Sequence, residues 1–289
     1  MRNAFIEHLT AHMAQDESIF LVVGDLGYSV VEPLVERYPE RFLNAGVAEQ
    51  NMTAVACGLA REGYKVFTYS IANFTTLRCL EQIRNGVCYH GLPVCVVSVG
   101  GGYMYGYLGP THHATEDIGI MRTLPGMRVF VPFSQRSAQL ALDEVLQQPG
   151  PAYIRLGRQG KAVDDVAHNG LTLVRAGAAG STERAVIAVG KICDRVVRFA
   201  EERTADLYAL CRVNPLPEPD LAKLFEQYAE VTVIEDHQRN GGVMSALAEF
   251  STGIKGVNIA GRFSLAIEHE DGQRAALLFG DQSRNVIHE

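Results

Sequence analysis

Phe42-Leu43-Asn44-Ala45-Gly46-Val47-Ala48-Glu49-Gln50-Asn51-Met52 is the stretch on which the reading of this chain turns. A short apolar strand pattern runs into Gly46, and a carboxylate then stands in the first turn of a long helix. That helix reads from Ala48 to Glu62, with Met52, Val55, Ala56 and Leu59 on one stripe. Its filler is small (Ala54, Cys57, Gly58, Ala60), so it packs closely against its neighbours. Two readings of Glu49 stand open. It complements the helix dipole, or it is an acid in a poorly solvated site with a proton to share.

Working outward, helix and strand patterns alternate along the whole chain. Residues 2–14 read as a helix, Ile19 to Gly24 as a buried strand, and Pro33 to Tyr38 as a short helix. After the Glu49 helix come a strand at Lys65–Tyr69, a helix from Thr76 to His90 and a strand at Leu92–Val99. A glycine-rich loop runs from Gly100 to Pro110. Met127–Val131 and Ala152–Arg155 are further strands, with Ser134 placed as the N-cap of the helix between them. Strands this apolar, separated by helices, imply a mainly parallel sheet covered on both faces. From Gly157 to about Thr172 the pattern lapses into a linker. A second alternating unit follows, with strands at Ala185–Val189, Asp206–Leu210, Val231–Glu235 and Val257–Ile259 and helices over 191–203, 218–228 and 243–251. The expected organisation is α/β, with two αβα three-layer domains at 1–160 and 175–289 joined by a linker at 161–174.

The bulk properties narrow the classes. A chain of 289 residues suits two domains, and a net charge of -7 argues against a general nucleic-acid binder. No apolar run reaches transmembrane length, and the acidic, amphipathic start is unlike a signal peptide. The six cysteines lie in or beside apolar runs without a CxxC pair, which reads as a reduced, cytoplasmic protein.

In open α/β sheets ligands bind beyond the carboxyl ends of the strands. Four segments lie there in the first domain: Gly24–Ser29, Gly46–Asn51, Ser70–Arg78 and Gly100–His113. Gly24-Asp25-Leu26 falls short of a Gly-Asp-Gly diphosphate motif because Leu26 puts a side chain where backbone must approach a phosphate, so no metal is expected at Asp25. Phe74 is either core packing or a platform for a flat heterocycle. The turn Gly109-Pro110-Thr111-His112-His113 presents a neutral imidazole for hydrogen bonding or proton transfer, or simply a loop histidine. Arg158, among glycines, is a phosphate fork or a solvated linker charge. Glu235-Asp236-His237 beside Gly241-Gly242 reads as a site or as a structural joint.

Four motifs occur together in register: Gly46 to Met52, Gly109-Pro110-Thr111-His112, Leu124-Pro125-Gly126-Met127 and Gly157-Arg158-Gln159. In order and spacing they resemble the transketolase family, over nearly the whole chain. The match is to the carboxyl-terminal portion of a full-length member, a pyrimidine-binding domain followed by a transketolase C-terminal domain. The resemblance implies one subunit of a split, two-chain transketolase that transfers a two-carbon ketol unit between sugars or sugar phosphates. It implies thiamine diphosphate shared with an N-terminal-half partner that also carries the Mg2+ and diphosphate contacts, in a heterotetramer. By the same resemblance Glu49 bonds the N1' atom of the aminopyrimidine, so that its exocyclic nitrogen can deprotonate the thiazolium. Phe74 packs on the aminopyrimidine, with Ile71 at another aromatic position. Asp25 and Leu26 match a pair beside the thiazolium, and Arg78 an arginine of some relatives. Ser29, Arg158 and Arg2 match groups for a sugar-phosphate terminus, and His112 the histidine on the ketol oxygens.

Two positions depart from the family. The acidic residue before Gly-Pro-Thr-His is Leu108, and a histidine expected at the start of the glycine loop is Gly100. Tyr103, Tyr105 and Tyr107 line the same loop. The alternatives are a β-type subunit of a 2-oxo acid dehydrogenase, an enzyme like deoxyxylulose-phosphate synthase, or a non-catalytic scaffold.

Overall fold

In the first sheet β1 (Ile19–Val23), β3 (Lys65–Ile71), β4 (Val94–Val99) and β6 (Ala152–Leu156) form a parallel centre buried on both faces, as their largely apolar character demands. The computed structural model from which this is read describes residues 1–157, 168–177, 183–202 and 204–252. Arg158 and the strand expected at Val257–Ile259 lie outside the described residues. The edge strand β2 (Phe42–Asn44) pairs with β1, and β5 (Arg128–Phe130) with β6. The helices are α1 (Arg2–Met13), α2 (Glu32–Arg37), α3 (Glu49–Arg61), α4 (Ala72–Thr76), α5 (Leu80–Gln82), α6 (Asp117–Thr123) and α7 (Gln135–Gln147). They cover the two faces. The single helix expected over Thr76–His90 is broken. α4 begins earlier, and α5 widens into a π-helical turn over Ile83–Cys88. That turn brings Gly86 so close to α3 that a Cβ on it would stand 2.7 Å from Cys57 Sγ.

The second unit holds β7 (Leu171–Arg175), β8 (Arg184–Val189), β9 (Asp206–Leu210) and β11 (Glu230–Glu235) in the order β11-β8-β9-β7. β7 runs antiparallel to β9 and begins inside the segment expected as linker. At this sheet edge Leu173 and Arg175 are exposed and only Leu171 is fully buried, so the strand lacks the buried run that marks the central ones. Helices α8 (Val197–Glu202), α9 (Glu218–Gln227) and α10 (Val243–Thr252) complete the unit. One further strand, β10 (Arg212–Asn214), leaves it and pairs antiparallel with β5, giving the first sheet the order β10-β5-β6-β4-β3-β1-β2. The two units are thus stitched through a shared sheet. Among the described residues no helix is long and apolar enough to cross a membrane.

The strand order fixes where a ligand binds. The chain passes from β1 outward to β2 and then crosses back through α3 to β3, so the direction of winding reverses between β1 and β3. The crevice at the carboxyl ends of those two strands is the topological switch point.

Candidate active site

Glu49 is the first residue of α3, delivered to the switch-point crevice by the β2–α3 turn at Gly46, whose φ is +72°. It is only 2% exposed. Its close neighbour is Gly24 at the end of β1: a Cβ there would stand 3.2 Å from Glu49 Cγ and 3.4 Å from Ser70 Oγ at the end of β3. Gly24 leaves the room for this close approach. Glu49 Oε2 accepts a hydrogen bond from Arg78 Nη1 at 2.8 Å. Glu49 Oε1 is buried and has no hydrogen-bond partner among the described residues, and Ser70 Oγ beside it is in the same state. A buried carboxylate oxygen left unmatched is costly, so this is a place built to meet a polar group from outside the chain.

Arg78 is half exposed and does two things at once, because its guanidinium also covers the Phe74 ring at 4.5 Å from the centroid. The edge of His112 meets Phe74 at 5.1 Å between centroids, with Tyr105 6.4 Å beyond. Asn73 Nδ2 donates to Thr111 O at 2.5 Å, tying α4 to the Gly-Pro-Thr-His turn, and Thr111 Oγ1 holds His112 Nδ1 at 2.9 Å. Glu49, Arg78, Phe74 and His112 therefore form one continuous lining. Ile71, buried at the end of β3, starts the same turn. Cys79 also belongs here, but burial pushes its thiol up to about 11, so it remains protonated at neutral pH.

On the β1 side, Asp25 (φ +53°) is held by Asn44 Nδ2 and by the Tyr28 hydroxyl, both 3.1 Å from Oδ1, and Leu26 is half-buried next to it. Ser29 (φ +63°) lies on the exposed turn beyond, its N–H bonded to Glu32 Oε1 at 2.7 Å. Arg2, at the head of α1, is close enough to Tyr69 for its charge to act on that buried phenol. These residues stand along the rim of the crevice, apart from the Glu49 cluster.

The two departures have structural counterparts. Gly100 has φ +82°, and the Tyr105 ring fills the space a side chain there would occupy. Leu108 and Tyr107 are exposed on the turn leading to His112. The Glu235-Asp236-His237 run is a joint. Glu235 caps α10 by accepting from Val243 N at 2.8 Å and Met244 N at 3.1 Å. Asp236 O accepts from Arg155 Nη2 at 2.8 Å, and His237 Nε2 accepts from Gly119 N at 3.2 Å. What sequence reasoning missed is Ser70 and Asn73. Their signal was positional, since Ser70 stands at the carboxyl end of a central strand and Asn73 just beyond it on α4.

Comparison with known proteins gives the family. Residues 1–161 match the family model of the transketolase pyrimidine-binding domain. The chain is 30% identical over 258 residues to an apulose-4-phosphate transketolase subunit of Phocaeicola vulgatus, covering 86% of this chain and 82% of that protein. It is likewise 30% identical over 256 residues to the 6-deoxy-6-sulfo-D-fructose transketolase subunit SqwH of a Clostridium species, covering 86% and 80%. A solved structure described as a split gene transketolase, inactive β4 tetramer, superposes with a TM-score of 0.79 at 27% identity, over 93% of this chain and 90% of that one. With the switch-point crevice, the four motifs and these matches in agreement, the chain belongs to the transketolase family, as the carboxyl-terminal subunit of its split, two-chain branch.

Proposed function

We propose that this subunit, together with an N-terminal-half partner, transfers a two-carbon ketol unit between sugars or sugar phosphates with thiamine diphosphate, and that Glu49 is its cofactor-activating acid. The observation that carries the reading is the buried Glu49 carboxylate with one oxygen on Arg78 and the other unmatched. That unmatched oxygen fits the ring nitrogen of an aminopyrimidine, which a proton can bridge. Thiamine diphosphate, when bound, supplies the nucleophilic thiazolium carbon that the protein itself lacks.

The chain's own residues do the rest. Glu49 holds or releases a proton at Oε1 in a crevice shielded from water. Arg78 fixes the orientation of the carboxylate through Oε2. Phe74 and Ile71 offer apolar surface for a flat ring, and Asp25 and Leu26 border the same crevice from β1. His112, steadied by Thr111, is placed to hydrogen-bond a substrate oxygen and to move a proton. Arg2, Ser29 and Arg158 are the groups for an anionic sugar terminus. Two of the relatives are named for a sugar phosphate and a sulfo sugar, and only that broad class is carried over. Tyr105 in the place of a family histidine and Leu108 in the place of an acid reshape the acceptor side.

The partner requirement has its own support. Tyr28 (68% exposed), Val47 (74%) and Tyr107 (76%) leave apolar surface bare on the loops around the crevice. Mg2+ and the diphosphate contacts are assigned to the partner, and the assembly to two copies of each chain. Reconstitution tests the reading. The pair with thiamine diphosphate and Mg2+ turns over a ketose donor, and Glu49→Ala loses at least a hundredfold in kcat, the usual scale for a positioned acid–base group of about 10²–10⁴. Undiminished turnover in that variant removes Glu49 from the mechanism. Calorimetry on the pair that detects no cofactor binding makes the chain a scaffold.

A further inference from the structure

His8, His12 and Asp143 form a cluster that the ketol-transfer chemistry does not use. His8 and His12 stand one turn apart on α1, and Asp143 faces them from α7, which packs against α1. His8 Nε2 lies 2.7 Å and His12 Nε2 2.8 Å from the same carboxylate oxygen, Asp143 Oδ1. The two rings meet edge to face, with centroids 4.8 Å apart and planes at 85°, so both direct Nε2 to one point. All three donor atoms fall within 4.8 Å of one another. The side chains are a quarter to a third exposed, open enough for an ion to enter.

The electrostatics favour a cation there. Among the described residues Asp143 pairs with no lysine or arginine, and its only partners are the two imidazoles. A partly buried carboxylate is thus matched only by two imidazoles. Two imidazoles and one carboxylate are a borderline-soft donor set suited to a first-row divalent ion. In a tetrahedral zinc site with bonds of about 2.0–2.2 Å, neighbouring donors stand about 3.3 Å apart. The pairs at Asp143 need to open by only about half an ångström, within reach of small side-chain rotations.

We propose that His8, His12 and Asp143 bind one divalent transition-metal ion, zinc by preference, with water completing the coordination. The ion is a clasp and takes no part in ketol transfer. α1 ends shortly before β1 begins and α7 shortly before β6, so the cluster lies toward the amino ends of the strands, across the sheet from Glu49. Closing it joins segments 131 and 135 residues apart and fastens α1, whose first residue Arg2 reaches the crevice rim. A clip across so long a loop constrains the unfolded chain strongly.

The test uses the full, tag-free chain and the metal alone. Co2+ titration is expected to saturate at one equivalent per chain with visible bands of nitrogen and oxygen ligation, and Zn2+ to displace it. His8→Gln, His12→Gln and Asp143→Asn each weaken binding at least tenfold. Glutamine still reaches the carboxylate as a hydrogen-bond donor, so the two histidine variants melt like the wild type in chelator. Zinc at a hundred times its Kd raises the wild-type melting temperature by roughly 5 °C and leaves the variants unmoved. The proposal is overturned by no saturable binding at millimolar metal, or by equal affinity in the double His8→Gln, His12→Gln chain. A thiolate-to-cobalt charge-transfer band in the wild type also overturns it, by placing the ion on a cysteine.

Discussion

At Glu49 the arrangement combines an ion pair with an unmatched oxygen, and the two have separable consequences. Arg78 neutralises the carboxylate from the solvent side while Oε1 faces inward without a partner. Arg78→Met leaves the charge buried alone, and the isolated subunit is expected to lose about 1–3 kcal/mol in urea unfolding. Glu49→Gln in the same chain recovers most of that loss, because the amide carries no charge to strand. The double-mutant cycle therefore gives a coupling above about 0.5 kcal/mol, and a value near zero rules out a structural bond between the two. The place of Glu49 at the head of α3 was legible in the sequence, because a strand–glycine turn leads there into a small-residue helix whose first turn carries it. Its pairing with Arg78 was not, since the two approach only when α3 and the turn after β3 converge. The joint role of Glu235-Asp236-His237 was equally hidden. Three polar residues beside a double glycine look alike whether they meet a ligand or another domain.

Elements were readable where local chemistry alone decides them. Ser134 was placed as the N-cap of α7, and it forms a reciprocal capping box with Ser137, accepting from Ser137 N at 3.1 Å. Ser134→Ala is expected to cost about 1 kcal/mol, visible as a lower midpoint in chemical unfolding with an unchanged slope. The turn from α1 to β1 depends instead on charge. Burial alone would raise the Asp16 carboxyl, but hydrogen bonds from Lys65 (2.8 Å) and Ser18 outweigh it and draw it down to about 2. An acid lowered on folding adds stability that is complete above its unfolded value of about 3.9 and lost as pH falls toward 2. The stability gap between wild type and Asp16→Asn is therefore expected to be constant above pH 5 and to narrow between pH 4 and 2. A gap that widens on acidification contradicts the pairing. Elements set by long-range contacts escaped sequence reasoning. β10 is three residues long and has a partner only because the second unit returns to the first sheet, and the π-helical turn after α5 sets Gly86 against Cys57 of α3.

Across the whole molecule, one buried cation joins the parts. Arg155, at the end of β6, pairs through Nε with Asp117 Oδ2 at 2.9 Å. Its Nη2 donates to Ala114 O at 3.1 Å, two residues past His112, and to Asp236 O of the second unit at 2.8 Å. Tyr153 donates to the same Asp117 carboxylate, and burial keeps its phenol far above the ordinary range and therefore protonated. The glycine loop follows this geometry closely. A Cβ on Gly101 would overlap the Arg155 guanidinium, and one on Gly102 the Asp236 carboxylate. Arg155 thus holds the histidine loop, α6 and the second unit in one register without reaching the crevice itself. Arg155→Met leaves the buried Asp117 carboxylate without its cation and with the Tyr153 hydroxyl as its remaining partner, and the expected loss is about 3–5 kcal/mol by urea unfolding. Adding Asp117→Asn removes the stranded charge and restores much of that stability, but the contacts to Ala114 and Asp236 stay broken. If those contacts place His112, the double variant regains stability yet keeps a depressed kcat in the reconstituted enzyme. Full recovery of both would show that the joint serves stability alone, and that the shared strand β10 is enough to set the histidine loop.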